Sequence, residues 1–104
     1  MIKADLTEAN LEGANLHAEN LTKAVMVKAN LQNADLGNAI MTDVDLTNAN
    51  LRGADLSRAN LRMANLTGAD LEDENLTNAN LVNAKMIADH LRINEISIGE
   101  IFIF

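Results

Sequence analysis

The chain has no cysteine, no proline, no tryptophan and no tyrosine in its 104 residues. Without cysteine there is no disulfide framework, no thiolate metal site and no thiol nucleophile, and the composition fits a reducing compartment. Aromatic residues are confined to Phe102 and Phe104, so an interior has to be assembled from Leu, Ala, Met and Ile. Long apolar runs are missing as well: no stretch approaches the roughly 18 apolar residues of a membrane span. The N-terminal MIKADLTEANL lacks the basic and apolar regions of a secretory signal. The expectation is a cytoplasmic protein without a membrane span. Basic residues are scarce, 8 against 15 acidic for a net charge of −7, which argues against direct nucleic-acid binding, where Lys and Arg neutralise phosphates. The length allows one domain and limits the size of any bulky core.

What is present in excess is a repeat. In ANLRGADLSRANLRMANL, residues 49–66, a leucine returns every fifth position with an alanine two places before it. Taking the apolar residue as position i, the series Leu6, Leu11, Leu16, Leu21, Met26, Leu31, Leu36, Met41, Leu46, Leu51, Leu56, Leu61, Leu66, Leu71, Leu76, Leu81 and Met86 runs without a gap. Position i−2 is Ala except at Glu19, Val44 and Glu74; position i−1 is Asn nine times and Asp five times, with Val25, Ile40 and Lys85 departing. Positions i+1 and i+2 vary freely and carry most of the charge.

A helix turns about 100° per residue, so leucines five apart would spread around every face. A flat strand would send them alternately to opposite faces. Within one unit, however, Ala(i−2) and Leu(i) share a face while Asn or Asp points away, and the remaining two residues can turn a corner. A chain that bends every fifth residue closes into coils, and stacked coils form a solenoid joined by parallel β-type ladders. Three corners or four would both close.

The A-[N/D]-L-x-x pattern, as in Ala49-Asn50-Leu51-Arg52-Gly53, resembles the pentapeptide-repeat family over residues 4–88. The resemblance implies an all-β fold, a right-handed quadrilateral β-helix (β-solenoid) of about four coils. It implies residues 1–88 as the repeat domain and residues 89–104 as a short irregular or helical C-terminal cap. The seventeen i residues named above are its expected core.

Departures from a strict repeat are informative. Glu19 and Glu74 occupy inward i−2 slots, where an unpaired carboxylate is costly to bury; the expectation is that both lie near open ends or tilt outward. Val25 and Val27 flank Met26 on one side, and Ile40, Met63 and Val82 fall on another, as scattered surface residues. Asp35 and Asp55 stack at a spacing of twenty, and two carboxylates about 5 Å apart repel, which marks them as candidate interaction residues. The tail DHLRINEISIGEIFIF loses Ala at i−2 yet keeps the spacing through Leu91, Ile96 and Ile101. KMIADHLRI is expected to make a turn or short helix, and ISIGEIFIF to give β-type cover to the last coil, since an open solenoid end exposes backbone and core. Ile101, Phe102, Ile103 and Phe104 are apolar on both faces and form a candidate homodimer contact.

No catalytic pattern emerges. The N-x-T matches are by-products of the repeat, and DVDLTN lacks the glycine and terminal glutamate of a calcium loop. His17 and His90 without cysteine are a poor zinc set. Ser57 and Ser97 have no placed base, and the glycines form no phosphate loop. No enzyme, no cofactor and no metal are expected. The reading is a scaffold or protein–protein interaction module with an unknown protein partner. The alternative comes from the resemblance, which includes acidic, dimeric quinolone-resistance proteins that mimic B-form DNA and bind type II topoisomerases.

Overall fold

The computed structural model describes residues 1–86 and the strand Phe102–Ile103. Residues twenty apart pair in parallel, so four pentapeptides make one circuit and the cross-section has four sides. On the first side Asp5, Val25, Asp45, Asn65 and Lys85 follow one another; the second stacks Asn10, Asn30, Asn50 and Asp70; the third Asn15, Asp35, Asp55 and Asn75; the fourth Asn20, Ile40, Asn60 and Asn80. A corner every five residues leaves each side too short for a long strand, so most of this pairing is one residue wide. The exception among the described residues is β1 (Asn80–Leu81), which pairs in parallel with β2 (Phe102–Ile103). No helix occurs among the described residues.

One pentapeptide shows why the coil is stable. Leu51 N–H donates to the carbonyl of Asp70 in the next coil at 2.9 Å, and Gly53 N–H to that of Glu72 at 3.0 Å. Asp55 N–H donates downward to Ala34 at 2.9 Å, and Ala54 N–H closes the corner onto Leu51 at 3.0 Å. The fifth amide, Arg52 N–H, donates to the side-chain Oδ1 of Asn50 at 3.1 Å. All five donors of the repeat are therefore satisfied, as buried or half-buried backbone requires.

The corner constrains the sequence more than the repeat alone reveals. Every described i+2 residue has positive φ, from 57° to 62° at the non-glycine positions and from 68° to 72° at Gly13, Gly53 and Gly68. This is the left-handed region, which costs an ordinary L-residue about 1–2 kcal/mol and which Gly, Asn and Asp tolerate best. Ten of the seventeen i+2 residues are Gly, Asn or Asp and none is β-branched, whereas Thr, Val and Ile abound at i+1. Position i+2 thus does not vary freely, a correction to the sequence reading.

Inside, Ala(i−2) and Leu or Met(i) fill the coil, and from Leu16 to Leu81 the i residues are buried. Leu6, Leu11 and Met86 are only partly buried against that core, because each belongs to the first or last described coil and has neighbours on one side alone. The tail departs from the expected register. Ile103, not Ile101, pairs with Leu81, and Phe102 pairs with Asn80, an offset of 22 where the repeats show 20. A continued repeat would put Ile93 and Ile98 in the left-handed corner slot, which no β-branched residue fills elsewhere. Residues 87–101 and Phe104, including the expected turn or helix after Met86, lie outside the described residues.

Two corner glycines, Gly53 and Gly68, are further constrained by an asparagine side chain in the coil below, Asn33 and Asn48 respectively. A Cβ on Gly68 would run into the side-chain oxygen of Asn48 in the coil below, whereas a Cβ on Gly13 would meet nothing within 4 Å. Gly13→Ala should therefore lose about 1–2 kcal/mol from its left-handed φ alone. Gly68→Ala should lose more, and Asn48→Gly in the same chain, which removes the obstructing side chain without straining its own left-handed corner, should recover the difference; urea midpoints measure all three.

Candidate functional surface

The outward residue of each side is Asn or Asp, and the structure gives it a local task. Each of the nine Asn and five Asp at i−1 accepts the backbone N–H two residues on. These are Asx turns, in which the side chain holds the chain as it enters the corner. Thr7, Thr22, Thr47 and Thr77 add a hydroxyl donor to the same oxygen. Asp35 and Asp55, expected as interaction residues, are both engaged in this way, Asp35 Oδ1 accepting Gly37 N–H at 3.0 Å and Asp55 Oδ1 accepting Ser57 N–H at 2.9 Å. The Gly37 amide holds the Asp35 carboxyl below the usual carboxylate range against slight desolvation, and His17, with Nδ1 at 3.3 Å, pulls the same way. The i−1 positions without this task are Val25, Ile40 and Lys85.

The corner between the second and third sides is polar. Arg52 pairs with Glu72 at 3.0 Å, and beside them a depression of about 300 Å³ is lined by Gln32, Asn33, Arg52, Gly53 and Asp73. Among the described residues no group of three His, Cys, Asp or Glu converges to hold a metal; His17 has only Asp35 beside it, and His90 lies outside the described residues. Val25, Ile40 and Met63 are exposed, at 37%, 42% and 51%, while Val27 and Val82 are half-buried.

The two irregular glutamates part company. Glu19 is exposed, as expected. Glu74 is not: it is 3% exposed, and neither carboxylate oxygen has a hydrogen-bond partner. Asn75 N–H donates to Ala54 at 3.0 Å, which seats Glu74 directly over Ala54 in the inward column. Burial raises its pKa to about 7, its own backbone amide opposing and the charges of Asp70 and Asp73 adding to the rise. The repeat marked the slot as anomalous, but its position in the last coil pointed to exposure, and only the packing shows otherwise.

A four-sided coil whose interior, among the described residues, is filled by Ala and Leu or Met defines a β-solenoid repeat protein. The profile described as Pentapeptide repeats matches residues 4–43, 39–73 and 54–87 in 8 copies, and the chain belongs to that family. It is similar to the pentapeptide repeat protein Rfr23 from the cyanobacterium Cyanothece 51142, with 34% identity and a TM-score of 0.64 over 98% of this chain and 62% of that one. A second cyanobacterial structure, the pentapeptide repeat protein alr5209 from Nostoc, has 30% identity and a TM-score of 0.55 over 94% of this chain and 83% of its own. QnrB1, a plasmid-mediated fluoroquinolone resistance protein, shares the fold at 15% identity and a TM-score of 0.57, over 96% of this chain and 58% of its own. The chain thus spans under two thirds of the length of Rfr23. No curated protein matches it. No helix among the described residues is long and apolar enough to cross a membrane.

Glu74 makes stability depend on pH with a definite sign. A carboxyl whose folded pKa is about 7, against 4.5 for the free group, stays protonated in the folded chain while the unfolded chain has already ionised. The folded state then binds more protons, so this contribution is complete below about pH 4.5 and is lost as pH rises to about 7. Glu74→Ala restores the family residue, and its denaturation midpoint should exceed that of the parent at pH 8 and approach it at pH 4.5.

Proposed function

We propose that this chain is a non-enzymatic β-solenoid scaffold that presents its corner side chains to a protein partner. In this reading residues 1–88 make four coils and residues 89–104 form a C-terminal cap that also serves as a homodimer contact. The observation that carries it is the division of labour in the repeat. Ala(i−2) and Leu(i) are spent on the core, Asn or Asp(i−1) on the turn, and only the corners are left to differ from one coil to the next. A surface of that kind recognises by complementarity along a rigid rod, where little conformational entropy is lost on binding. The interior filled by Ala and Leu or Met supports a role carried by the outer surface, and the proposal places that role in a cytoplasmic setting.

Chemical cross-linking of a partner isolated from the native host tests this. Cross-links should fall on i+1 and i+2 residues, and contacts restricted to the coil ends would sink the reading. Removing residues 89–104 should convert a dimeric mass in light scattering to a monomeric one.

The second reading, a topoisomerase-binding mimic of DNA, has the net charge of −7 in its favour. A DNA-like face needs carboxylates in rows at phosphate spacing. Here acidic residues at i−1 are interleaved with Asn and already accept turn amides, and the corners mix both signs. Purified chain at high excess is therefore expected to leave gyrase supercoiling unchanged, and inhibition would restore the mimic.

A further inference from the structure

The four sides differ in charge. The outward positions of a side are its i−1 residue, the i+1 residue that ends it and the i+2 residue of the corner that begins it. On the first side these hold Lys3, Asp5, Lys23, Asp43, Asp45 and Lys85, and on the second Glu8, Glu12, Lys28, Arg52, Asp70 and Glu72. On the third they hold His17, Asp35, Asp55 and Asp73. The fourth side has Arg58 and Arg62 there and no acidic residue. Its one carboxylate is Glu19, exposed in the first coil although it occupies an i−2 slot.

Two departures from the repeat meet on this side. Ile40 N–H donates to the carbonyl of Glu19 at 2.9 Å, so one stands in the coil above the other. Ile40 is exposed between Asn20 and Asn60, whose side chains accept the amides of Thr22 and Arg62; with Ile at position 40, Thr42 has no such acceptor. Met63 and Val25 lie just past the edge, on the first side. A local rule broken without a gain in the core marks a position held for another reason.

The pattern fits a second copy of the same side. Glu19, Arg58 and Arg62 form no ion pair among the described residues. A two-fold axis through Ile40, perpendicular to the rod, lays two fourth sides face to face and antiparallel. It exchanges the coil below Ile40 with the coil above and keeps each edge on its own flank. Ile40 then meets its counterpart, Asn20 meets Asn60 of the second copy, Thr22 meets Arg62, and Glu19 comes level with Arg58. Past the edge, on the first side, Lys23 comes level with Met63 and Arg62 of the second copy and Asp43 with its own counterpart. The attraction therefore comes from the other flank, where Arg58 faces Glu19. A copy laid parallel would instead set Arg58 against Arg62, like charge on like.

The face is small. Bounded by 30 × 23 Å, it lies below the roughly 800 Å² per partner of a standard interface, which makes the association weak and concentration-dependent.

We infer that the fourth side is an interface between two antiparallel copies of this chain, with Ile40 packed on Ile40 across the two-fold axis and Arg58 of each copy facing Glu19 of the other. This face is separate from the C-terminal contact proposed above.

A chain without cysteine allows a direct test in the full-length protein. Facing sheets lie about 10 Å apart, too far for a disulfide, so single cysteines are joined by a bismaleimide of about that reach. Chains carrying Asn20→Cys and Asn60→Cys should cross-link to each other when mixed, far more than either does alone, and Asn10→Cys, on the second side, should stay at the level of the single chains. Adding Ile40→Asn to the mixed pair should weaken the association at least about tenfold. That substitution restores the repeat residue and should melt no lower than the parent, which separates lost contact from lost fold. Glu19→Arg should weaken it as well, and Arg58→Glu in the same chain should restore it; Glu8 shows that Glu is accommodated at such a corner. The inference is overturned if the Asn20→Cys chain links to itself as fast as to the Asn60→Cys chain, if Asn10→Cys links as fast as the mixed pair, or if Ile40→Asn changes nothing. A dimer that depends on residues 89–104 yet never links positions 20 and 60 overturns it too and leaves the C-terminal reading standing. Linking of 20 to 60 in a chain whose mass is unaffected by removing residues 89–104 supports it while that reading fails.

Discussion

The structure depends on one register: each coil donates to and accepts from the coil twenty residues away, and it does so only because the chain turns at every fifth residue through a left-handed corner. Were one corner to widen, every side above it would slip past its hydrogen-bond partners, and in a β ladder a slip of one residue turns the inward face outward. The Asx turn from i−1 and the closing bond from Ala(i−2) to the preceding Leu(i) hold that corner from its two ends. The leucine core is a consequence of the register as much as its cause, since residues such as Leu36, Leu56 and Leu76 reach the axis only when their coils are stacked.

This arrangement explains why so acidic a chain offers few free carboxylates along its sides. Asp5, Asp35, Asp45, Asp55 and Asp70 serve as turn acceptors, a task the Asn residues perform equally well. In the proposed scaffold reading, partner recognition falls to residues released from the task, the corner side chains and the three i−1 positions that hold Val25, Ile40 and Lys85. The family supplies the frame, and solved relatives such as Rfr23 and alr5209 share it.

Much of this was legible in the sequence. The five-residue spacing excludes helix and flat sheet by geometry, and the positions of Ala and Leu name the inward face. The left-handed corner had a legible sign that is easy to overlook, the absence of Thr, Val and Ile at i+2 beside their abundance at i+1. Glu74 was legible as an anomaly but not as a buried one, because the repeat names the inward slot and not how closely the chain packs around it. The tail illustrates the same limit: the spacing through Leu91, Ile96 and Ile101 persists in the sequence, yet Leu81 pairs with Ile103.

The sequence alone determined the coil, because a period of five with two small or apolar residues facing inward has few shapes open to it and the repeat is long enough to select one. It also determined which residues would be core. The tertiary structure decided how many pentapeptides close a circuit, and with that number which distant residues become neighbours. Val25, Ile40 and Met63 are unrelated in a linear reading; a circuit of twenty residues gathers them around one edge, and a circuit of fifteen would have dispersed them. The physical reason is that the closure angle belongs to the backbone corner and its hydrogen bonds, whereas the repeat unit records only that a corner exists.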